Sequence, residues 1–270
     1  MTAGARTAHH TVVADGAVVL DVAAVSDPGP TRPENQDAWA VLPLDPRPGC
    51  ALLLADGMGG HADGAVAAYL AVHGAGNVLR AGGDPHTALA DAVGEANEAI
   101  ARHRASRAGV VTGTTLVCAV VGGGRASIAN VGDSRAYLLR GGRAVQLTLD
   151  HSWVAEQVRA GHLSVDAVSG HPHRSLLTRA LTGDAVEVDL FTTELLLGDV
   201  LLLCSDGLWD AVAESRVAAA VSAETPLDAV AEALCDQALA AGRGDNVTVV
   251  LCRVAAPAAP AAPPAAGAAI

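Results

Sequence analysis

Five aspartates in this sequence stand where a run of apolar residues meets a turn. They are Asp37, Asp56, Asp133, Asp206 and Asp245. Four of the five adjoin a glycine, which lets the backbone approach closely and can expose a carbonyl as a further ligand. Carboxylates gathered in one cleft raise each other's pKa values unless a cation compensates. An all-oxygen ligand set of this kind favours Mg²⁺ or Mn²⁺ over Zn²⁺.

Two divalent ions about 3.5–4 Å apart are the standard device for in-line attack of water on phosphorus. The aspartates therefore indicate hydrolysis of a phosphate ester. Taken singly, each aspartate is more simply a turn or capping residue. That alternative weakens because all five take the same kind of position, at the end or the start of an apolar strand.

The elements that must position these aspartates are apolar strands separated by turn signals. The strands are predicted at residues 18–25, 51–55, 115–121, 126–131, 136–139, 144–148, 195–197, 200–203 and 247–254. Two of these runs flank Gly198 and Asp199, which predicts a hairpin. Apolar residues at helical spacing predict helices after Pro85 and Pro226, and a buried helix over 64–79.

Strand groups followed by helix pairs predict an α+β fold, a four-layer α-β-β-α sandwich in which helix pairs flank two antiparallel sheets. The sequence shows one continuous domain, residues 18–254, with no internal repeat. Residues 1–17 are small and polar and predict a flexible N-terminal arm. Residues 255–270 are almost wholly Ala and Pro, which predicts a tail because repeated proline forbids a helix.

Composition excludes several classes of protein. Hydrophobic residues make up 51% and charged residues 17%, so most of the chain is not disordered. Three Trp, two Tyr and one Phe provide few stacking platforms, and a net charge of -12 repels phosphate backbones, so we expect no nucleic-acid partner. The charge alone is equally consistent with a solubilising surface.

Nothing in the chain predicts a membrane segment, because no apolar run approaches 18 residues. Asp15 and Asp21 interrupt the region where a signal peptide needs an apolar stretch. The five cysteines are scattered and lack CxxC spacing, which favours buried reduced thiols. We therefore expect a cytoplasmic protein, with a monomer as the default oligomeric state.

Eight sequence blocks carry a resemblance to a known family. They are SDPGPTRPENQDAW (26–39), LLLADGMGGHADG (52–64), TGTTL (112–116), NVGDSRAYLLRGG (130–142), QLTLDHSWV (146–154), LTRALTG (177–183), GDVLLLCSDGLWD (198–210) and GDNVTVVLC (244–252). In this order the blocks resemble the bacterial form of the metal-dependent Ser/Thr protein phosphatases called PPM or protein phosphatase 2C. The resemblance spans roughly residues 20–254 and implies hydrolysis of phosphoserine and phosphothreonine on proteins. It also implies a metal-bridging hydroxide as nucleophile and no phosphoenzyme.

The resemblance implies a role for each aspartate. Asp56 would bridge two Mn²⁺ or Mg²⁺ ions, Asp206 and Asp245 would complete the shell of the first ion, and Asp37 with the carbonyl of Gly57 would complete that of the second. Asp133, together with Asp206, would form a weaker third metal site.

The resemblance also assigns roles to two basic side chains. Arg32 would bind the substrate phosphate through its planar guanidinium. His61 would be the general acid that protonates the departing oxygen, with a turn residue as its alternative role. Gln36 stands where many members carry an acid, and Met58 where some carry a histidine.

Residues 151–177 correspond to the family's flap subdomain, which influences substrate choice. The implied partners are phosphorylated proteins, including a Ser/Thr kinase and its substrates. Two rival functions stay open at this point. One is a pseudophosphatase that only binds phosphoproteins, which the full set of aspartates disfavours. The other is hydrolysis of nucleotides, which the acidic charge and scarce aromatics weakly oppose.

Overall fold

A computed structural model describes residues 5–45, 47–59, 63–107, 112–221 and 224–257. Twelve strands lie in these ranges: β1 Thr7–Asp15, β2 Val18–Asp27, β3 Asp37–Pro43, β4 Cys50–Gly59, β5 Thr112–Thr114, β6 Leu116–Gly122, β7 Arg125–Val131, β8 Arg135–Arg140, β9 Arg143–Gln146, β10 Asp189–Glu194, β11 Val200–Cys204 and β12 Val247–Ala255. The helices there are α1 Asp63–Ala81, α2 Pro85–Ser106, α3 Trp153–Arg159, α4 Asp206–Trp209, α5 Glu214–Ala220 and α6 Leu227–Ala240, with a 3₁₀ turn at Val165–Ala167.

The strands form two antiparallel sheets. The first sheet has the order β1-β2-β12-β11-β8-β9, and the second has the order β10-β7-β6-β4-β3, with β5 paired beside β4. Three apolar layers hold the sandwich together. One lies between the two sheets, one between the second sheet and α1 with α2, and one between the first sheet and the later helices. These layers confirm the predicted α+β sandwich with helices on both outer faces.

The helix pair on the second sheet forms for local reasons that the sequence shows. Asp84 accepts a hydrogen bond from the Thr87 amide at 3.1 Å, and Pro85 takes the first helical position of α2. In α1 and α2 small residues face inward, so the two helices pack closely against each other and against the sheet. Within the described part of the chain, no helix is long and apolar enough to span a bilayer.

The N-terminal segment differs from the prediction of a flexible arm over residues 1–17. Residues 7–15 form β1, which pairs with β2 from Thr7 opposite Ser26 to Asp15 opposite Val18. The prediction failed because β1 is an edge strand whose side chains are mostly exposed, so it lacks the apolar run by which strands are recognised. The predicted tail lies outside the described residues beyond residue 257.

The hairpin predicted around Gly198 is also wrong. Residues 195–197 lie outside any strand, and β10 pairs with β7 in the second sheet, whereas β11 lies between β12 and β8 in the first. The Gly198–Asp199 turn therefore carries the chain from one sheet to the other. Asp199 stabilises this turn, because its carboxylate accepts hydrogen bonds from Arg140 and from the Leu196 amide.

Candidate metal centre

Both sheets contribute to the cleft at one end of the sandwich. In the second sheet, Asp37 at the start of β3 lies directly opposite Asp56 in β4. Asp133 follows the end of β7. In the first sheet, Asp206 follows β11 and Asp245 precedes β12, which is the neighbour of β11. The antiparallel order therefore brings together the ends that carry all five predicted aspartates.

The electrostatics of the cleft show that these carboxyls act on one another. Burial, aided by the charges of Asp206 and Asp245, raises the pKa of Asp37 to about 7. Burial and then the charges of Asp37, Asp206 and Asp133 raise the pKa of Asp56 well above its usual range. A metal-free cleft of this kind holds protons at neutral pH, which divalent cations would displace.

Asp133 and Asp206 show the same effect from the other side of the cleft. Burial, followed by the charges of Asp206 and Asp150, raises the pKa of Asp133 to about 8. Burial and the charge of Asp245 raise the pKa of Asp206 to about 6, and a hydrogen bond with Asp56 opposes that rise. Both aspartates line two cavities, of about 600 and 710 Å³, that open on the cleft.

Asp37 has one carboxylate oxygen that the protein leaves without a partner. Its Oδ2 accepts hydrogen bonds from Ser205 at 2.8 Å and from Thr248 at 2.6 Å. Its Oδ1 is buried and has no hydrogen-bond partner. A buried carboxylate oxygen without a partner is costly, and a divalent cation is the ligand that suits it. The donor set therefore fits Mg²⁺ or Mn²⁺.

The carboxylates do not form a closed coordination shell by themselves. Among the described residues, no three Asp, Glu, His or Cys side chains are already grouped tightly enough to hold one ion. Mg²⁺ gives up its waters reluctantly, so it usually keeps several of them and is rarely enclosed by protein ligands alone. An open arrangement of aspartates along a cleft therefore suits ions that carry part of their hydration shell.

Two glycines beside the aspartates are required by close backbone contacts. A Cβ on Gly57 would lie 2.1 Å from the carbonyl oxygen of Gly64, at the start of α1. A Cβ on Gly207 would lie 2.0 Å from the carbonyl oxygen of Asn246. Glycine at these positions lets β4 approach α1, and lets the start of α4 approach β12.

Arg32 reaches the cleft from the loop between β2 and β3. Its Nη2 donates to Asp245 Oδ2 at 2.9 Å, and its side chain is 49% exposed. The guanidinium therefore faces open solvent with donors to spare. Its predicted role toward a phosphate stays a prediction. His61 lies outside the described residues, so its predicted role stays a prediction.

Further residues hold the site through contacts between distant segments, and of these the sequence suggested a supporting role only for Asn246. Asn246 binds the loop before β3, since its Nδ2 donates to the carbonyls of Pro28 and Glu34 and its Oδ1 accepts from the Gln36 amide. Thr115 links the strand that carries Asp56 to the turn that carries Asp133. Its hydroxyl accepts a hydrogen bond from the Asp56 amide and forms another with the hydroxyl of Ser134. The only sequence signal for these residues was their place inside the eight blocks.

Comparison with known proteins places the chain in a family. Residues 32–241 match the family model described as protein phosphatase 2C. The matched stretch covers most of the sandwich and contains four of the five aspartates, all except Asp245. The chain therefore belongs to the protein phosphatase 2C family.

Two curated relatives show how far the similarity extends. The serine/threonine protein phosphatase PstP of Mycobacterium tuberculosis is 39% identical over 241 residues, which are 88% of this chain and 45% of that protein. The chain thus spans about half the length of this relative. The serine/threonine phosphatase stp of Listeria innocua is 37% identical over 235 residues, or 84% of this chain and 92% of that protein.

Solved structures show the same fold. The crystal structure of the Mycobacterium tuberculosis phosphatase PstP/Ppp matches with a TM-score of 0.80 and 38% identity, over 88% of this chain and 99% of that one. The catalytic domain of PstP in complex with two manganese ions matches with a TM-score of 0.78 and 38% identity, over the same shares.

Proposed function

We propose that this protein is a Mn²⁺- or Mg²⁺-dependent phosphatase that hydrolyses phosphoserine and phosphothreonine on proteins. The observation that carries the proposal is the partnerless, buried Oδ1 of Asp37 among carboxyls whose pKa values are raised together. The names of the relatives supply the substrate class. Phosphorylated proteins, among them a Ser/Thr kinase and its targets, are the partners that follow.

In this proposal the aspartates divide between the ions as the resemblance implies. Asp56, Asp206 and Asp245 would hold one ion, and Asp37, Asp56 and the Gly57 carbonyl would hold a second. Asp133 and Asp206 would hold a weaker third ion. Bound divalent ions supply the water-derived nucleophile and neutralise charge on the phosphate.

The other residues bind the substrate phosphate and orient the groups around the ions. Arg32 holds the phosphate of the substrate through its free guanidinium donors, while Asp245 fixes the orientation of that guanidinium. Ser205 and Thr248 hold Asp37 through one oxygen and leave the other for an ion. His61 is proposed as the group that protonates the leaving oxygen. No covalent bond to the protein is involved.

The test is phosphate release from a phosphothreonine peptide, measured with Mn²⁺, with excess EDTA, and with the variants Asp206→Asn and Arg32→Lys. We expect no release in EDTA and a loss of about 100-fold or more in Asp206→Asn. Arg32→Lys should lower kcat/KM by about tenfold or more, because lysine cannot make the planar two-donor contact. Arg143→Lys, a change on an exposed hairpin strand, is the matched control.

Activity that survives EDTA or Asp206→Asn would contradict the proposal. A wild-type protein that binds the phosphopeptide and never releases phosphate would favour a pseudophosphatase instead. Faster turnover of a nucleotide than of the phosphopeptide would favour the nucleotide hydrolase.

A further inference from the structure

His151 is a buried histidine to which the proposed chemistry gives no role, yet all its polar groups are engaged. Its side chain is 2% exposed. Its backbone N–H donates to the Gly132 carbonyl at 3.0 Å, and its carbonyl accepts from the Thr178 amide at 2.9 Å. Its ring Nδ1 accepts from the Gly132 amide at 3.1 Å, and its Nε2 lies 3.1 Å from Asp189 Oδ2.

These contacts fix the protonation of the ring. A backbone N–H can only donate, so Nδ1 must be unprotonated and the single ring proton lies on Nε2. Nε2–H then donates to Asp189, whose other oxygen accepts from Arg179 Nη1 at 2.8 Å. Arg179 Nη1 is also 3.4 Å from Nε2, but both groups carry hydrogen and they share the carboxylate instead. Burial lowers the pKa of His151, which agrees with a neutral ring.

The residue that His151 holds is the neighbour of Asp133. Gly132 has a φ of +109°, and a Cβ there would lie 2.5 Å from Thr115 Cγ2, so Thr115 closes one side of the turn. His151 closes the other side through two hydrogen bonds to the same residue. Trp209 donates to the Asp133 carbonyl at 2.9 Å. The conformation of the turn thus depends on contacts from distant parts of the chain.

His151 also joins this turn to both ends of the flap, residues 151–177. Ser152 and Leu177 form an isolated β-bridge, and the Thr178 amide binds the His151 carbonyl just beyond it. One residue therefore contacts the turn that carries Asp133, the start of the flap and the return of the chain after it.

We propose that His151 is a positioning residue that sets the Gly132–Asp133 turn for the weaker divalent ion and couples that turn to the flap. This inference rests on the proposed function, since it assumes that Asp133 binds an ion. Its contribution is confined to the weaker ion, because the other two sites are assigned to Asp37 in β3, Asp56 in β4, Asp206 at the start of α4 and Asp245 before β12.

Two substitutions test the contacts of the two ring nitrogens one at a time. In His151→Asn the amide oxygen takes the place of Nδ1 and can accept from Gly132, but the contact with Asp189 is lost. In His151→Gln the amide nitrogen takes the place of Nε2 and can donate to Asp189, but Gly132 loses its acceptor. His162→Asn, at an exposed flap position whose ring Nδ1 lies 3.2 Å from Gln157 Oε1, is the matched control.

The measurement is a calorimetric titration of each metal-free protein with Mn²⁺, with a thermal unfolding curve of each variant beside it. We expect His151→Gln to raise the Kd of the lower-affinity phase of Mn²⁺ binding by about tenfold. The Kd of the tighter phase should change by less than about twofold. His151→Asn should weaken the lower-affinity phase by less than about threefold, and His162→Asn should match the wild type.

The proposal is overturned if His151→Gln keeps the lower-affinity phase, or if both phases weaken equally in step with the unfolding temperature. If neither His151 variant folds, Asp189→Ala decides: a selective loss of the weaker phase supports the proposal, and an unchanged isotherm overturns it. Wild-type protein that takes up no Mn²⁺ contradicts the proposed function itself, a failure visible without any His151 variant.

Discussion

Asp37 illustrates what the fold requires of a single side chain. Its neighbours donate two hydrogen bonds to one oxygen and leave the other without a partner. Burial raises its pKa to about 7, and burial likewise raises that of Asp133 to about 8. Because ordinary carboxyls titrate near pH 4, these two groups hold protons in the folded protein that they lose in the unfolded one.

That difference makes the stability of the metal-free protein depend on pH. Where the folded state holds more protons, stability falls as the pH rises, until the pH exceeds the folded pKa values. We expect the unfolding temperature in EDTA to fall between pH 6.5 and 8.0, by about 2–4 °C for each kcal/mol lost. The buried His151, whose pKa is lowered, opposes this fall only weakly, because the unfolded histidine loses just its remaining protons above pH 6.5.

The measurement is thermal unfolding in EDTA across this pH range, for the wild type and for Asp133→Asn. Removing the titrating group at residue 133 should flatten the pH dependence, whereas Asp91→Asn on the exposed face of α2 should not. A wild-type unfolding temperature that rises over the same range would contradict the raised pKa values.

At the scale of the elements, the cleft depends on how closely strand ends and helix starts approach. The start of α4 lies against β12, where a Cβ on Gly207 would be 2.0 Å from the Asn246 carbonyl oxygen. This contact keeps Asp206, at the start of α4, beside Asp245, which precedes β12. Backbone atoms on both sides leave no flexible side chain that could give way.

We therefore expect Gly207→Ala to lower the free energy of unfolding by about 1–3 kcal/mol and to weaken Mn²⁺ binding. Gly94→Ala is the matched control, because Gly94 is exposed in α2 and a Cβ there meets nothing within 4 Å. It should raise stability by about 0.5–1 kcal/mol, as alanine suits a helix better. Chemical denaturation of both variants measures the free energy of unfolding. Equal changes in the two variants would contradict the expectation.

The same elements show how much of the fold could be predicted. The strands that end in aspartates were predictable because they are buried on both faces and read as continuous apolar runs. β1 was missed because an edge strand needs no apolar pattern. The hairpin at Gly198 was wrong because a turn signal shows that the chain reverses, and does not show which sheet receives the next strand.

The site was predictable to the same degree. That the aspartates meet in one cleft could be predicted because each lies where an apolar strand meets a turn. The supporting contacts of Asn246, Thr115 and His151 could not be derived, since each joins segments that are distant in sequence and adjacent only after folding. Their residue types are common in turns and carry no signal of their own.

At the scale of the whole molecule, the formal net charge of -12 counts every carboxylate as ionised. Five of its 29 acidic residues lie at the cleft, and several of these hold protons near neutral pH. Two bound divalent ions would bring four positive charges to the cleft, less the protons that they displace. The acidic surface elsewhere would then not keep the proposed phosphoprotein substrate from the loaded cleft.

The central claim is that divalent ions replace protons in one cleft built from both sheets. Calorimetric titration of the metal-free protein with Mn²⁺ at pH 6.5, repeated in two buffers of different ionisation enthalpy, tests it most directly. We expect at least two ions bound per chain and a net release of protons, which Asp206→Asn sharply reduces. Binding of no ion, or of two ions with no proton release, would contradict it.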